Sequence, residues 1–156
     1  MYLINKKQDH LYRPNVGCVL MKNNKIFVAK RIGHRTDTWQ MPQGGVNSEE
    51  EYEDALLREL KEEIGTNNIE VIKQSSYYRY YKIPKNMSLQ MWGGKYIGQK
   101  QRWFLANFKG EDAEINIDTA IPEFEAWKWL DVDSTINKAV FFKKDIYIDV
   151  LAEFNI

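Results

Sequence analysis

The sequence predicts an α/β domain: a mixed β-sheet with helices on its faces. Three observations lead there. Short runs of Val, Ile, Tyr, Phe and Trp recur along the chain, as in strands. One long segment keeps a helical period, and a second helical pattern closes the sequence. The predicted order is strand, strand, loop, helix, strands, helix.

Residues 15–21 (NVGCVLM) and 25–30 (KIFVAK) read as two strands around an Asn23-Asn24 turn. Residues 32–47 are loop-like, with Gly33, Pro42, Gly44 and Gly45. Ser48 is placed as a helix N-cap, followed by acids in the first turn. Tyr52, Ala55, Leu56, Leu60 and Ile64 then share one helical face, and Gly65 suits the C-cap. Residues 69–82 and 101–109 read as strands, and 126–130 (AWKWL) alternates as a short strand does. Val140, Ile146, Val150, Leu151 and Phe154 predict one closing helix from about Asp133 to Phe154.

A chain of 156 residues points to one domain spanning 1–156. Folding would bury about 70% of the extended-chain surface at this size, enough for a core without disulfides. The single cysteine, Cys18, lies in an apolar strand and is read as core, which suits a reducing cytosol. No apolar run reaches the ~18 residues of a membrane span, and the first residues carry no apolar signal core. Cytoplasmic localisation without a membrane partner is the expectation. At 44% hydrophobic and 28% charged residues, disordered, collagenous and coiled-coil classes are excluded.

Lys plus Arg equals Asp plus Glu at 22 each, a balance that argues against a polyanionic partner until its distribution is read. Residues 49–63 hold eight acids against two bases, while residues 79–102 hold six bases and no acid. Two solvated faces would explain this, but the spacing of the acids adds something. Glu59, Glu62 and Glu63 stand at i, i+3 and i+4, on one helical face. Like charges there repel unless something neutralises them, and a divalent cation does so. Arg58 is placed to brace a neighbouring carboxylate, and Gly44 and Gly45 permit close approach of backbone to a ligand. His10 and His34 have no paired ligand pattern and are assigned no metal.

From Gly44 to Thr66 the chain resembles the Nudix box, G-x5-E-x7-R-E-U-x-E-E-x-G-U, where U is a bulky aliphatic. Gly44, Glu50, Arg58, Glu59, Leu60, Glu62, Glu63 and Gly65 fall in place, and Thr66 is the departure. The resemblance implies an α/β/α sandwich that cleaves a nucleoside diphosphate linked to another group with Mg²⁺, or with Mn²⁺ or Zn²⁺. It places Glu59, Glu62, Glu63 and Glu123 at the metal, with Gly44 beside them and Arg58 in the catalytic group. Glu50 is implied to be structural.

Further stretches narrow the resemblance: Tyr12–Gly17, Trp39–Gly45, Ile97–Phe104, Pro122–Trp129 and Phe141–Tyr147. Together, from about residue 11 to 154, they are similar to the bacterial RNA pyrophosphohydrolase branch, itself close to asymmetric diadenosine polyphosphate hydrolases. Met41, where an aromatic is common, and a slightly longer 34–38 stretch depart from it. The implied substrate is the 5′ end of triphosphorylated RNA or a dinucleoside polyphosphate. Arg13, Tyr81 and Lys143 are implied phosphate contacts, and Arg31 and Phe142 are implied to flank a base, in keeping with stacking in single-stranded RNA. Lys82, Lys85, Lys100 and Arg102 are weaker candidates. A non-catalytic binding module is the third reading; relatives of that kind often lose box glutamates, and none is lost here.

Overall fold

The computed structural model describes residues 6–156. Asn23 and Asn24 both take positive φ, 51° and 62°. They join β1 (Tyr12–Lys22) to β2 (Lys25–Arg31) through the turn that two left-handed residues form. A short strand, β3 (Gln43–Gly45), lies inside the segment read as loop and pairs antiparallel with β1. Helix α1 (Tyr52–Ile64) follows, and Gly65 ends it at φ 78° with its N–H on the Lys61 carbonyl. Next come β4 (Ile69–Gln74), β5 (Arg79–Lys82), α2 (Lys85–Trp92), β6 (Gly98–Phe108), β7 (Phe124–Leu130), α3 (Val132–Asn137) and α4 (Lys144–Glu153).

The strands form one mixed sheet in the order β4-β6-β1-β2-β7, with β3 on β1 and β5 on β6. β1 and β6 run parallel from Tyr12 opposite Gly98 to Met21 opposite Asn107, and this pair is the spine of the sheet. Strand alternation sends β1 side chains to opposite faces. Val16, Cys18 and Leu20 pack in one core with Leu56, Leu60 and Ile64 of α1. Val19 packs in the other with Ile146, Val150 and Leu151 of α4. The predicted α/β/α layering is therefore present, and Cys18 is fully buried in it. Gly17 is small because a Cβ there would lie 2.6 Å from the Trp103 ring of the adjoining strand.

Three local expectations are corrected. Ser48 does not cap α1; Glu51 precedes the helix with an extended backbone and no side-chain cap. Ser48 sits instead in a turn where Glu49 takes φ 64° and the Glu50 carboxylate accepts the Asn47 N–H at 3.0 Å. Glu50 is drawn into that turn by Arg58, so the turn precedes the helix and delays its start. Second, the closing helix is not continuous. Asp131 caps α3 by accepting the Ser134 N–H at 2.7 Å. The chain then extends at Val140 and makes a 3₁₀ turn over Phe141–Lys143 before α4. The break lets Val140, Phe142 and Lys143 line a cavity that a continuous helix would not supply. Third, α2 went unpredicted because its apolar residues lack a core-facing period. Pro84 starts it and Gly93, at φ 60°, ends it.

β5 is held to α4 by Arg79, only 4% exposed. Its guanidinium donates to Asp149 at 2.7 Å and Glu153 at 2.8 Å, and lies 4.3 Å over the Tyr77 ring. Burial works against both carboxylates, but the Arg79 hydrogen bonds leave them below their ordinary range. Their stabilising effect is therefore present above the unfolded pKa, near 4, and is lost as pH falls through the lower folded values. Arg79→Met is expected to cost about 2 kcal/mol at neutral pH, the scale of hydrogen bonds to charged groups. It should also flatten the acid limb of the stability profile. Urea midpoints at several pH values check this, and an unchanged midpoint would refute it.

Candidate active site

Glu50, Glu59, Glu62 and Glu63 meet two environments. Arg58 organises one of them. Its Nε and Nη2 grip the Glu50 carboxylate at 2.8 and 2.9 Å, and Nη2 also donates to the Gly45 carbonyl at 2.8 Å. Its Nη1 reaches Glu59 at 2.9 Å and Glu62 at 3.2 Å. The Arg58 hydrogen bonds, with the Asn47 N–H, hold Glu50 down at about 2. Glu50 thus anchors the arginine.

Glu63 occupies the other environment. It is 5% exposed and its Oε2 has no hydrogen-bond partner. Burial, then the carboxylates of Glu123 and Glu59, push it well above its ordinary range. Glu59 is also raised, mainly by burial, against the opposing pull of Arg58. Glu123 sits on the loop before β7, where its carbonyl accepts the Ile32 N–H at 3.0 Å. That bond ties the Glu123 loop to the end of β2, and Glu123 lines the same cleft as the glutamates of α1. Glu59, Glu62, Glu63 and Glu123 share a cleft of about 470 Å³.

Glycines make the approach possible. A Cβ on Gly44 would fall 2.1 Å from Glu59 Cδ, and one on Gly45 would fall 2.1 Å from Arg13 Nη2. Glu59 of α1 and Arg13 of β1 thus lie against successive backbone positions of β3. Arg13 also lies 5.8 Å from the centre of the Trp92 ring.

Next to the carboxylates, a groove of about 330 Å³ collects Arg31, Tyr81, Phe142 and Lys143. Tyr81 and Phe142 stack with centroids 6.2 Å apart and 25° between planes. Burial pushes Tyr81 up to about 12, so its hydroxyl stays neutral beside Gln43 at 3.4 Å. Lys143 is only 8% exposed. Burial first, then Arg31, bring it down to about 7, while Glu63 opposes the fall. Lys143 thus lies within electrostatic reach of Glu63.

Other sequence candidates lie elsewhere. Lys100 and Arg102 cover the Tyr78 ring at 4.4 and 4.3 Å, and Lys85 lines a separate hollow. His34 is at the groove margin. Sequence reasoning missed Met87, Met91 and Trp92, which α2 contributes to the groove wall. The Pro84 and Gly93 boundaries were the available signal.

A NUDIX domain model matches residues 11–150. The chain belongs to the Nudix family. It is 47% identical over 151 residues to an RNA pyrophosphohydrolase of Wolbachia pipientis wMel, covering 96% of this chain and 93% of the relative. It is 48% identical over 139 residues to an RNA pyrophosphohydrolase of Pelagibacter ubique, covering 88% of each. Among solved structures, the E. coli dihydroneopterin triphosphate pyrophosphohydrolase superimposes with a TM-score of 0.67 at 18% identity, covering 89% of this chain and 95% of that one. A C. elegans Ap4A hydrolase complex gives 0.63 at 16% identity, covering 90% and 96%. At such identity these two structures establish the Nudix fold. The chain is a Nudix pyrophosphohydrolase.

Nudix hydrolases generally use a divalent metal, and the residues of this chain suit one. Glu63 offers a buried oxygen without a partner, next to two further carboxylates that raise its proton affinity. A cation would relieve that repulsion. Among the described residues no three His, Cys, Asp or Glu side chains form a ready cage. Arg58 holds Glu59 and Glu62 to one side. The oxygen donors gathered here suit a hard divalent cation. No helix among the described residues is long and apolar enough to cross a membrane.

Proposed function

We propose that this Nudix hydrolase converts 5′-triphosphorylated RNA ends to 5′-monophosphates in the cytoplasm and so exposes transcripts to decay. The observation that carries this reading is the meeting of groove and cleft at the end of β2, where Ile32, next to Arg31 of the groove, donates its N–H to the carbonyl of Glu123 of the cleft at 3.0 Å. Relatives named RNA pyrophosphohydrolase, 43% to 48% identical over most of the chain, support it.

In this reading Glu59 and Glu63 would hold Mg²⁺, with Glu62, Glu123 and the Gly44 backbone beside them. Bound divalent ions neutralise phosphate charge and acidify water. The protein does the rest. Arg58 fixes Glu59 through its bonds to Glu50 and the Gly45 carbonyl. Arg13, Tyr81 and Lys143 receive the polyphosphate, and Arg31 with Phe142 flanks the base. A carboxylate of the cleft accepts the proton from the attacking water.

The test compares kcat/KM on a 5′-triphosphorylated oligoribonucleotide with that on diadenosine pentaphosphate. A clear preference for the RNA is expected. A large preference for the dinucleotide would replace this reading with asymmetric dinucleoside polyphosphate hydrolysis.

A further inference from the structure

The floor of the groove continues inward as a row of side-chain amides. Strand pairing sets Asn15 opposite Gln101, Gly17 opposite both Gln43 and Trp103, and Tyr81 opposite Gln99. Residues opposite one another, or two apart on one strand, share a face of the sheet. Tyr81, Gln43 and Gln99 on this face line the groove. Behind them Asn15, Gln101 and Trp103 are at most 1% exposed. Trp103 sets the direction of the hydrogen bonds in the row. Its ring lies over Gly17, where a Cβ would fall 2.6 Å away, and stands edge-on to Tyr147 at 5.8 Å. An indole nitrogen donates and never accepts. Here it donates to Gln101 Oε1 at 3.0 Å. Gln101 then has only its Nε2 to turn the other way, donating to Asn15 Oδ1 at 2.9 Å and Gln43 Oε1 at 3.1 Å. Gln43 in turn offers its Nε2 to the Tyr81 hydroxyl at 3.4 Å. Gln43 Oε1 is nearly as close to that hydroxyl, at 3.5 Å, but Gln101 already holds it.

We propose that Trp103 and Gln101 are positioning residues for the substrate phosphates. They hold Gln43 with its NH₂ group toward Tyr81, so that the Tyr81 oxygen accepts from the protein and keeps its own proton for a phosphate oxygen. The inference rests on the reading that Tyr81 receives the polyphosphate. Hydrogen bonds from Gln43 and Gln99 work against the burial that raises the Tyr81 hydroxyl, in keeping with an oxygen that accepts. A reversed Gln43 would draw the Tyr81 proton to its own carbonyl. The anion would then meet an acceptor where it needs a donor. Neither Trp103 nor Gln101 lines the groove, so their effect passes through Gln43 and Tyr81. The relay is buried from Trp103 to Gln101, where water does not compete for its bonds and a wrong orientation would leave polar groups unpaired.

The first measurement uses the unmodified protein. The side-chain NH₂ protons of Gln43 should give nuclear Overhauser contacts to the Tyr81 ring, and their absence overturns the relay. The second uses Gln101→Glu, with KM and kcat measured on a 5′-triphosphorylated oligoribonucleotide and on diadenosine pentaphosphate. The new side chain keeps the size and still accepts from Trp103, but once ionised it has no hydrogen to give Gln43. KM should then rise about 10- to 100-fold over the unmodified protein at the same pH, the scale of a hydrogen bond to a charged group, with kcat little changed. The Gln43 contacts to Tyr81 should vanish with it. Burial should lift the pKa of the new carboxyl, so lowering the pH returns an O–H donor and should restore both KM and the contacts. Gln101→Met, which cannot titrate, should show no such recovery. A KM penalty equal in the two variants at every pH would reduce Gln101 to packing and overturn the proposal. Tyr81→Phe with an unchanged KM would overturn the polyphosphate role of Tyr81 and the relay together. A raised KM in Tyr81→Phe without the Gln43 contacts overturns the relay alone and leaves the RNA reading standing.

Discussion

Glu63→Gln is expected to lower kcat by about 10²–10⁴-fold with the fold intact, the several kcal/mol that a catalytic metal contributes. Its second consequence separates a metal-site role from a packing role. Glu63 is buried beside Glu123 and Glu59 with an oxygen lacking any partner. Its folded pKa is raised above the unfolded one. The sign follows: its favourable contribution is complete below the unfolded pKa and is lost as pH rises through the folded value. In chelator, the unmodified protein should therefore lose stability as pH rises past the ordinary carboxylate range. Mg²⁺ should restore that stability. Glu63→Gln should melt higher than the unmodified protein in chelator at neutral pH and respond little to Mg²⁺. Melting temperatures across pH, with and without the ion, test this. A variant that melted lower in chelator and kept its Mg²⁺ response would remove Glu63 from the metal site.

Arg58→Lys should be nearly as damaging as loss of the side chain, despite preserving charge. The guanidinium reaches Glu50, Glu59, Glu62 and the Gly45 carbonyl at once. An ammonium has neither the fork nor the span for that. The expected stability loss is about 2 kcal/mol, the scale of hydrogen bonds to charged groups. The expected fall in kcat is about 10–100-fold, as for other residues that orient metal ligands. Glu50 reports the change directly. Held at about 2 by Arg58 and the Asn47 N–H, it should titrate closer to the ordinary carboxylate range in the variant. Carboxylate NMR titration would show it. An unmoved Glu50 would mean that the Asn47 bond alone sets its pKa.

The zero net charge is now seen as two partners in one device. The acidic helix face forms the cleft, and the basic residues divide between uses. Arg31 and Lys143 enter the groove. Arg79, Lys100 and Arg102 are spent on α4 and the Tyr78 ring. Only the folded chain separates these two kinds of cation, because strand residues two apart share a face whatever lies on it.

Local order was legible wherever one residue type has one conformational use. Asn23-Asn24 marked a turn, Gly65 a helix end, and the i, i+3, i+4 glutamates a shared helix face, because those rules involve only near neighbours. The Nudix box was legible for the same reason, since it occupies a single β3–turn–α1 unit. Glu123 beside Glu63, Tyr81 against Phe142 and α2 across from Arg31 were decided by tertiary structure. These placements follow from the sheet order and, for Phe142, from the break before α4, which juxtapose segments with no local signal of their contact. The sequence by itself determined the family, the layers and the carboxylates of the first helix. The folded chain decided which charges are buried together, and burial sets their proton affinity and hence their chemistry.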